Sequence, residues 1–305
     1  MRELLTRPVL AAGALVSAGV MLVAGCGSSA PSSSATSPSP GAVPSQGAVS
    51  SIASQVPAAI KSKGTLTVAT DATYAPNEFI APDGHTVIGM DADLSHALGQ
   101  VLGLKVNIQN ATFDTIIPGI ASGKYDLGIT SFTDTKAREK TVDFVTYFQA
   151  GTSFYTKTNG PSVTSLADLC GKTVAMEKGT TQQADAQAQA AKCKSQGKAA
   201  VTVQVYNDQN AVNLALSSGR AEVAMADSPV ADYQVRLSHG TFKISGSPYN
   251  TAPYGIAIPK NNGMAKPVLA AVKHLMADGT YIKILKKWGV EHGAINNPTI
   301  NGAIS

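Results

Sequence analysis

Short β-branched runs alternate with stretches of helical period from residue 65 onward, and this alternation restricts the fold more than any other feature of the chain. "TLTVAT" (Thr65 to Thr70) has the length and branching of a buried strand. "DADLSHALGQVLG" follows with Leu94, Ala97, Leu98, Val101 and Leu102 at helical spacing and Gly103 as a stop signal. "KVNIQNA", "FDTIIPGIASGK" and "YDLGITS" then read as strand, helix and strand. The rhythm resumes at "KTVAMEKG" and continues through "TTQQADAQAQAAKCKSQG", "VTVQVYN", "DQNAVNLALSSGR" and "AEVAMADSP". "YGIAIPK" adds a strand, and "MAKPVLAAVKHLMADGTYIKILKKWG" adds two helices. Such alternation predicts an α/β fold with parallel sheet covered on both faces. Two units are expected rather than one.

Both runs end in the same way. "IIPGIASGKYDLGITSF" passes from helix through Gly123-Lys124 to an apolar strand that ends in hydroxyls, and "VNLALSSGRAEVAMADSP" passes through Gly219-Arg220 to a strand ending in Asp227-Ser228. Open α/β sheets bind ligands at the carboxyl ends of their strands. One end here offers Thr130, Ser131, Thr133 and Thr135 just ahead of Arg138; the other offers Asp227. Together these groups match the carboxylate and the ammonium of an α-amino acid. Two plainer readings stand beside this one. Arg138 could be a solvated charge next to Lys136, Glu139 and Lys140, and Asp227 could cap the helix that starts at Ser228-Pro229.

The chain has 305 residues, 44% of them hydrophobic and 14% charged, enough for a sizeable core. Its net charge of +4 is dispersed, so no nucleic-acid footprint is present. Residues 1–25 read as a signal peptide, with Arg2 and Arg7 ahead of an apolar run that ends in small residues. That run could nearly span a bilayer, so a retained helix is the rival reading. "VAGC" (Val23 to Cys26) resembles a bacterial lipobox, which implies lipidation of Cys26 and a membrane-anchored, exported protein. Residues 26–57, rich in Ser, Pro, Ala and Gly, are expected to form a disordered tether. Cys170 and Cys193 are either a disulfide or two buried thiols, and export favours the disulfide. Neither has a Cys or His neighbour at ligand spacing, so no metal site is expected.

Further motifs carry a family resemblance: "VATDATYAPNEF", "GMDADL", "ATFDTIIPGIASGKYDLGITSFTDTKAREKTVDF", "VAMEKGTTQQ", "AEVAMADSPVADY" and "YGIAIPK…DGTYIKILKKWG". In this order they resemble the polar amino-acid-binding proteins of bacterial ABC importers, solute-binding family 3, over about Gly64 to Val290. The resemblance implies the two-lobed periplasmic-binding-protein type II fold, each lobe a sheet flanked by helices, joined by two crossing strands that close on ligand. Lobe 1 would comprise 58–151 and 250–292, lobe 2 would comprise 152–249, and 293–305 would be a loose tail. The crossings would fall near Tyr147–Gly151 and Asn250–Tyr254.

The same resemblance assigns site residues. Arg138 would clamp the α-carboxylate in a bidentate pair, a geometry that lysine lacks. Ser131, Thr133 and, from the second lobe, Thr181 would add hydrogen bonds. Asp227 would accept from the ammonium, and Tyr74 and Phe113 would sandwich the ligand side chain; by composition alone both aromatics would be core. Asp71 would face the ligand's distal end, with Glu177 near it unless Glu177 points outward beside Lys178. Departures from the family pattern are Met90, Ala92 and Asn77, the last of which replaces an aromatic in the pocket wall. Asp91 and Asp93 are expected to serve a helix start, and Trp288 to be a packing anchor.

With Glu177 inward, carboxylates outnumber cations at the site. A buried carboxylate needs a partner, so a cationic ligand such as arginine, lysine or ornithine is expected. Glutamine or another neutral polar amino acid is the alternative. A dehydratase-like enzyme is a distant one, since all five histidines lie outside these motifs. A receptor-kinase sensor would need a second membrane span and a cytoplasmic domain. The expected partners are a free amino acid, ABC permease and ATPase subunits, and the membrane through the lipid anchor, with a monomeric chain and no cofactor.

Overall fold

Residues 46–304 are described by the computed structural model. The signal segment, Cys26 and the greater part of the expected tether lie outside the described residues. Two short helices, α1 (Ser50–Ala53) and α2 (Ala58–Lys63), lead into β1 (Thr65–Thr70). β2 (Thr73–Tyr74), β3 (Glu78–Ile80) and β4 (Val87–Ile88) form a small antiparallel sheet. α3 (Met90–Leu102), β5 (Lys105–Asn110), α4 (Phe113–Ala121) and β6 (Leu127–Gly128) complete the first run. β7 (Val142–Lys157) then leads to β8 (Thr173–Glu177), α5 (Thr181–Ser195), β9 (Thr202–Tyr206), α6 (Gln209–Ser218), β10 (Val223–Asp227) and α7 (Ser228–Leu237). β11 (Phe242–Pro259) returns, followed by α8 (Ala265–Ala277) and α9 (Thr280–Trp288).

The large sheet has 8 strands in the order β5-β1-β6-β11-β7-β10-β8-β9. β1 runs parallel to β5 and β6, and β8 runs parallel to β9 and β10, as the alternation predicts. The sheet as a whole is mixed rather than parallel, because β7 and β11 cross its middle antiparallel to each other. Their register shifts fall between Ser245 and Gly255, overlapping the segment expected to cross between lobes. On one side of these strands Leu94, Leu98 and Val101 of α3 pack with α8 and α9. On the other, β8 and β10 pack with α5 and α6 in two further clusters. Trp288 is buried, donates Nε1–H to Asp93 at 2.8 Å and meets Phe79 edge-on at 5.6 Å. Cys170 and Cys193 form a disulfide with Cα atoms 5.7 Å apart.

Three expectations change. The tether reading stops short of residue 57: Ile52 and Val56 are buried in the α3–α8 core, and Val49 N–H donates to the Val101 carbonyl at 3.0 Å. These are the apolar residues of an otherwise small and polar stretch, and burying them orders the chain around them. The end of the chain is not loose either. Asn301 N–H donates to the Phe144 carbonyl at 2.9 Å, Thr299 N–H to Thr146 Oγ1 at 2.8 Å, and Gly302 N–H to Asp134 Oδ2 at 2.8 Å. It thus extends the edge of β7 through partners far away in sequence. Finally, β6 is shorter than "YDLGITS" because the chain leaves the sheet after Gly128, turning at Ser131 with φ of 53°.

Candidate ligand-binding site

Two pairs of parallel strands, β1 with β6 and β8 with β10, run in opposite directions, and their carboxyl ends supply the site. Asp71 follows β1, Ser131 and Thr133 follow β6, Glu177 ends β8 and Asp227 ends β10. Phe113 opens α4, Thr181 opens α5, and Arg138 lies in a 3-10 turn (Arg138–Lys140) just before β7. The structure brings these residues together with Tyr74 around one cavity. Glu78, Thr180 and Gln182 also line it and were missed. Gln182 and Thr180 stood inside the quoted "GTTQ", and Glu78 inside "APNEF". Nothing in their local spacing sets them apart from their neighbours, since their partners lie in other elements.

Arg138 spans the cavity mouth. Its Nη1 donates to the Thr133 carbonyl at 2.8 Å and its Nη2 to the Gly179 carbonyl at 2.9 Å. The guanidinium lies 5.3 Å from the ring centres of both Phe113 and Phe132. Desolvation pulls its pKa down to about 10, against the opposing pull of Asp227, so it remains charged at neutral pH. It is therefore not the solvated surface charge of the plainer reading.

Ser131 holds a left-handed backbone that a residue with a Cβ rarely adopts, and its surroundings fix it there. Its N–H donates to Asp91 Oδ2 at 2.8 Å, its hydroxyl donates to Glu78 Oε2 at 3.1 Å, and it accepts from Asn77 Nδ2 at 2.9 Å. Asp91 thus does more than serve a helix start. It also accepts from Tyr147 Oη at 2.8 Å, and burial pushes its pKa up to about 6. Asn77, where an aromatic wall was in question, is buried behind Ser131 instead of lining the cavity.

Asp227 is the N-cap residue of α7 by position, yet its side chain makes no capping bond. Oδ1 accepts from Gln182 Nε2 at 2.7 Å and Oδ2 accepts from Tyr254 Oη at 2.7 Å. Its backbone N–H donates to Tyr74 Oη at 2.9 Å. A carboxylate carries about four acceptor sites, so these bonds leave room for an ammonium. Burial raises its pKa, and the hydrogen bonds from Tyr254 and Gln182 oppose the rise.

The far end of the cavity is acidic. Asp71 is 3% exposed; its Oδ1 accepts from Thr73 Oγ1 at 2.7 Å and its Oδ2 from the Phe113 N–H at 2.8 Å. Glu177, also 3% exposed, faces the cavity in hydrogen-bond contact with Asp71, and its Oε1 has no partner. Lys178 turns away to Asp114 at 2.8 Å. Burial, then the charge of Asp71, holds the Glu177 carboxyl well above the usual range.

The geometry has relatives. Residues 66–291 match the bacterial extracellular solute-binding proteins, family 3. An arginine-binding protein ArgT of Corynebacterium glutamicum is 32% identical over 251 residues, covering 82% of this chain and 82% of that one. An ABC transporter arginine-binding protein 1 of Escherichia coli is 32% identical over 223 residues, covering 71% of this chain and 87% of that one. A solved ancestral arginine-binding protein bound to glutamine superposes with a TM-score of 0.69 at 36% identity, covering 75% of this chain and 99% of that one. Solved bound to arginine, an ancestral arginine-binding protein superposes at 0.68 with the same 36% identity, covering 74% of this chain and 98% of that one. These are two-lobed binding proteins, not enzymes, and no helix among the described residues is long and apolar enough to cross a membrane. By sequence and by fold, this chain belongs to the bacterial extracellular solute-binding proteins, family 3.

Proposed function

We propose that the protein is the extracytoplasmic receptor of an ABC importer for an α-amino acid with a cationic side chain, such as arginine, lysine or ornithine. One observation carries this reading. Arg138, Ser131, Asp227, Asp71 and Glu177 line one cavity, in which, among the described residues, Arg138 is the only lysine or arginine; in this reading Arg138 and Ser131 take the carboxylate, Asp227 the ammonium, and the Asp71–Glu177 pair the cationic side chain. Tyr74 and Phe113 wall the space between. The names of the arginine-binding relatives agree with it. Glutamine is the second reading, favoured by the relative bound to glutamine and by the hydrogen-bonding capacity of Asp71. In this reading Cys26 carries the lipid anchor, the segment after it tethers a monomeric receptor outside the membrane, and both lobes present to a permease with its ATPase.

The test is binding of arginine by calorimetry to the chain and to Arg138→Ala and Asp227→Ala. Each variant should lose about 2–5 kcal/mol of affinity, since each leaves a ligand charge buried without its partner. Ligand-free melting should change little. Normal binding by both variants would refute the site.

A further inference from the structure

We propose that Asp71 and Glu177 share one proton when no ligand is bound, and that a cationic ligand side chain displaces it, so that binding releases a proton and gains strength as pH rises. This rests on the receptor reading and adds to it a rule for discrimination at the same site.

The two carboxyls are unequal. Asp71 receives the Thr73 hydroxyl and the Phe113 N–H, donors that favour its ionised form. Glu177 receives none among the described residues; its side chain meets Asp71, and Oε1 is buried and unpartnered. The proton therefore belongs on Glu177, which donates to Asp71.

The surroundings supply no relief. Asp208 at the start of α6 and Asp227 at the end of β10 both add negative charge toward Glu177. The phenols of Tyr74 and Tyr155 are held protonated by burial. Glu78 lies behind Thr130, which it receives at 3.0 Å. Arg138 lies toward Asp227 and Asp134, and Lys178 is paired with Asp114 outside the cavity. Two adjacent buried carboxyls with no facing cation cannot both ionise.

A guanidinium or ammonium brings the missing charge. The proton leaves Glu177 for solvent, and both carboxylates accept from the ligand, whose positive charge then stands between them and lowers the cost of ionising the pair. A carboxamide brings no charge and has no reason to displace the proton, because protonated Glu177 can donate to its oxygen while Asp71 accepts from its nitrogen. The sign of the pH dependence follows. Glu177 has a raised pKa without ligand and a lowered one with a bound cation. Affinity for the cation then rises with pH, by up to about tenfold per unit, until the ligand-free pKa is passed. Affinity for the carboxamide stays flat.

The experiment is calorimetric titration of the full-length chain in detergent with L-arginine and with L-glutamine, each in buffers of different ionisation enthalpy. The dependence of observed heat on the buffer counts protons. About one proton released with arginine and none with glutamine is expected. Glu177→Gln and Asp71→Asn should abolish the release with arginine wherever they still bind it. Arginine binding without proton release, or release that persists unchanged in Glu177→Gln, overturns the proposal and leaves the receptor reading in place. Absence of binding to any amino acid overturns the receptor reading and this proposal together.

Discussion

Arg138 shows how much of the site rests on single side chains. Its guanidinium already bridges the Thr133 and Gly179 carbonyls, so it is held before any ligand is added. A lysine there keeps the charge but cannot span both carbonyls and also present a planar fork. Arg138→Lys should therefore lose about 1–3 kcal/mol of arginine affinity, less than Arg138→Ala, with both measured by calorimetry. Equal affinity in Arg138→Lys and the unaltered chain would mean that only charge matters. The residues that sequence reasoning could place were those at strand ends, because strand periodicity and the direction of an α/β sheet fix where such ends lie. Glu78 was not among them. Its role depends on Thr130 and Ser131, more than fifty positions away, and no local pattern encodes that meeting.

At the scale of elements, α5 links the cavity to the disulfide. Thr180, Thr181 and Gln182 stand at its first turn beside the ligand site, while Cys193 lies near its far end, tied to Cys170. A 15-residue helix is about 22 Å long, so the disulfide acts on the element and not on the cavity. Replacing both cysteines by serine should lower stability by about 3 kcal/mol, read as a fall in melting temperature, with arginine affinity unchanged. A matching loss of affinity would show that the tie positions the first turn. The helices and most strands were legible because their apolar spacing and glycine stops are local, as with Gly103 closing α3. What local spacing left hidden were the elements defined by distant partners. β7 and β11 were expected only through the family resemblance, while the pairing of the chain's end with Thr146 across 153 positions and the fold of Gln46 to Val56 back onto α3 had no signal at all.

Over the whole molecule, both long strands connect halves that share one cavity. Contacts across it are of unequal worth. Lys178–Asp114 joins the rims, but its lysine is 52% exposed, and such pairs contribute about 1 kcal/mol or less. The Asp227 N–H to Tyr74 Oη bond is buried and costs more to break. Neither brings a cation to the acidic end, and that is left for the ligand. Closing on ligand is thus expected to draw its main energy from the amino acid itself.

The central claim is that the cavity takes an α-amino acid and that its acidic end selects a cationic one. A thermal-shift screen against the twenty amino acids and ornithine tests it most directly, because a ligand that binds only the folded state must raise the melting temperature. At a hundredfold excess over Kd the stabilisation is about 2.7 kcal/mol. Arginine, lysine or ornithine should give the largest shifts at neutral pH. A screen in which neutral residues shift the protein and cationic ones do not would contradict the selection, and silence across the panel would contradict the claim as a whole.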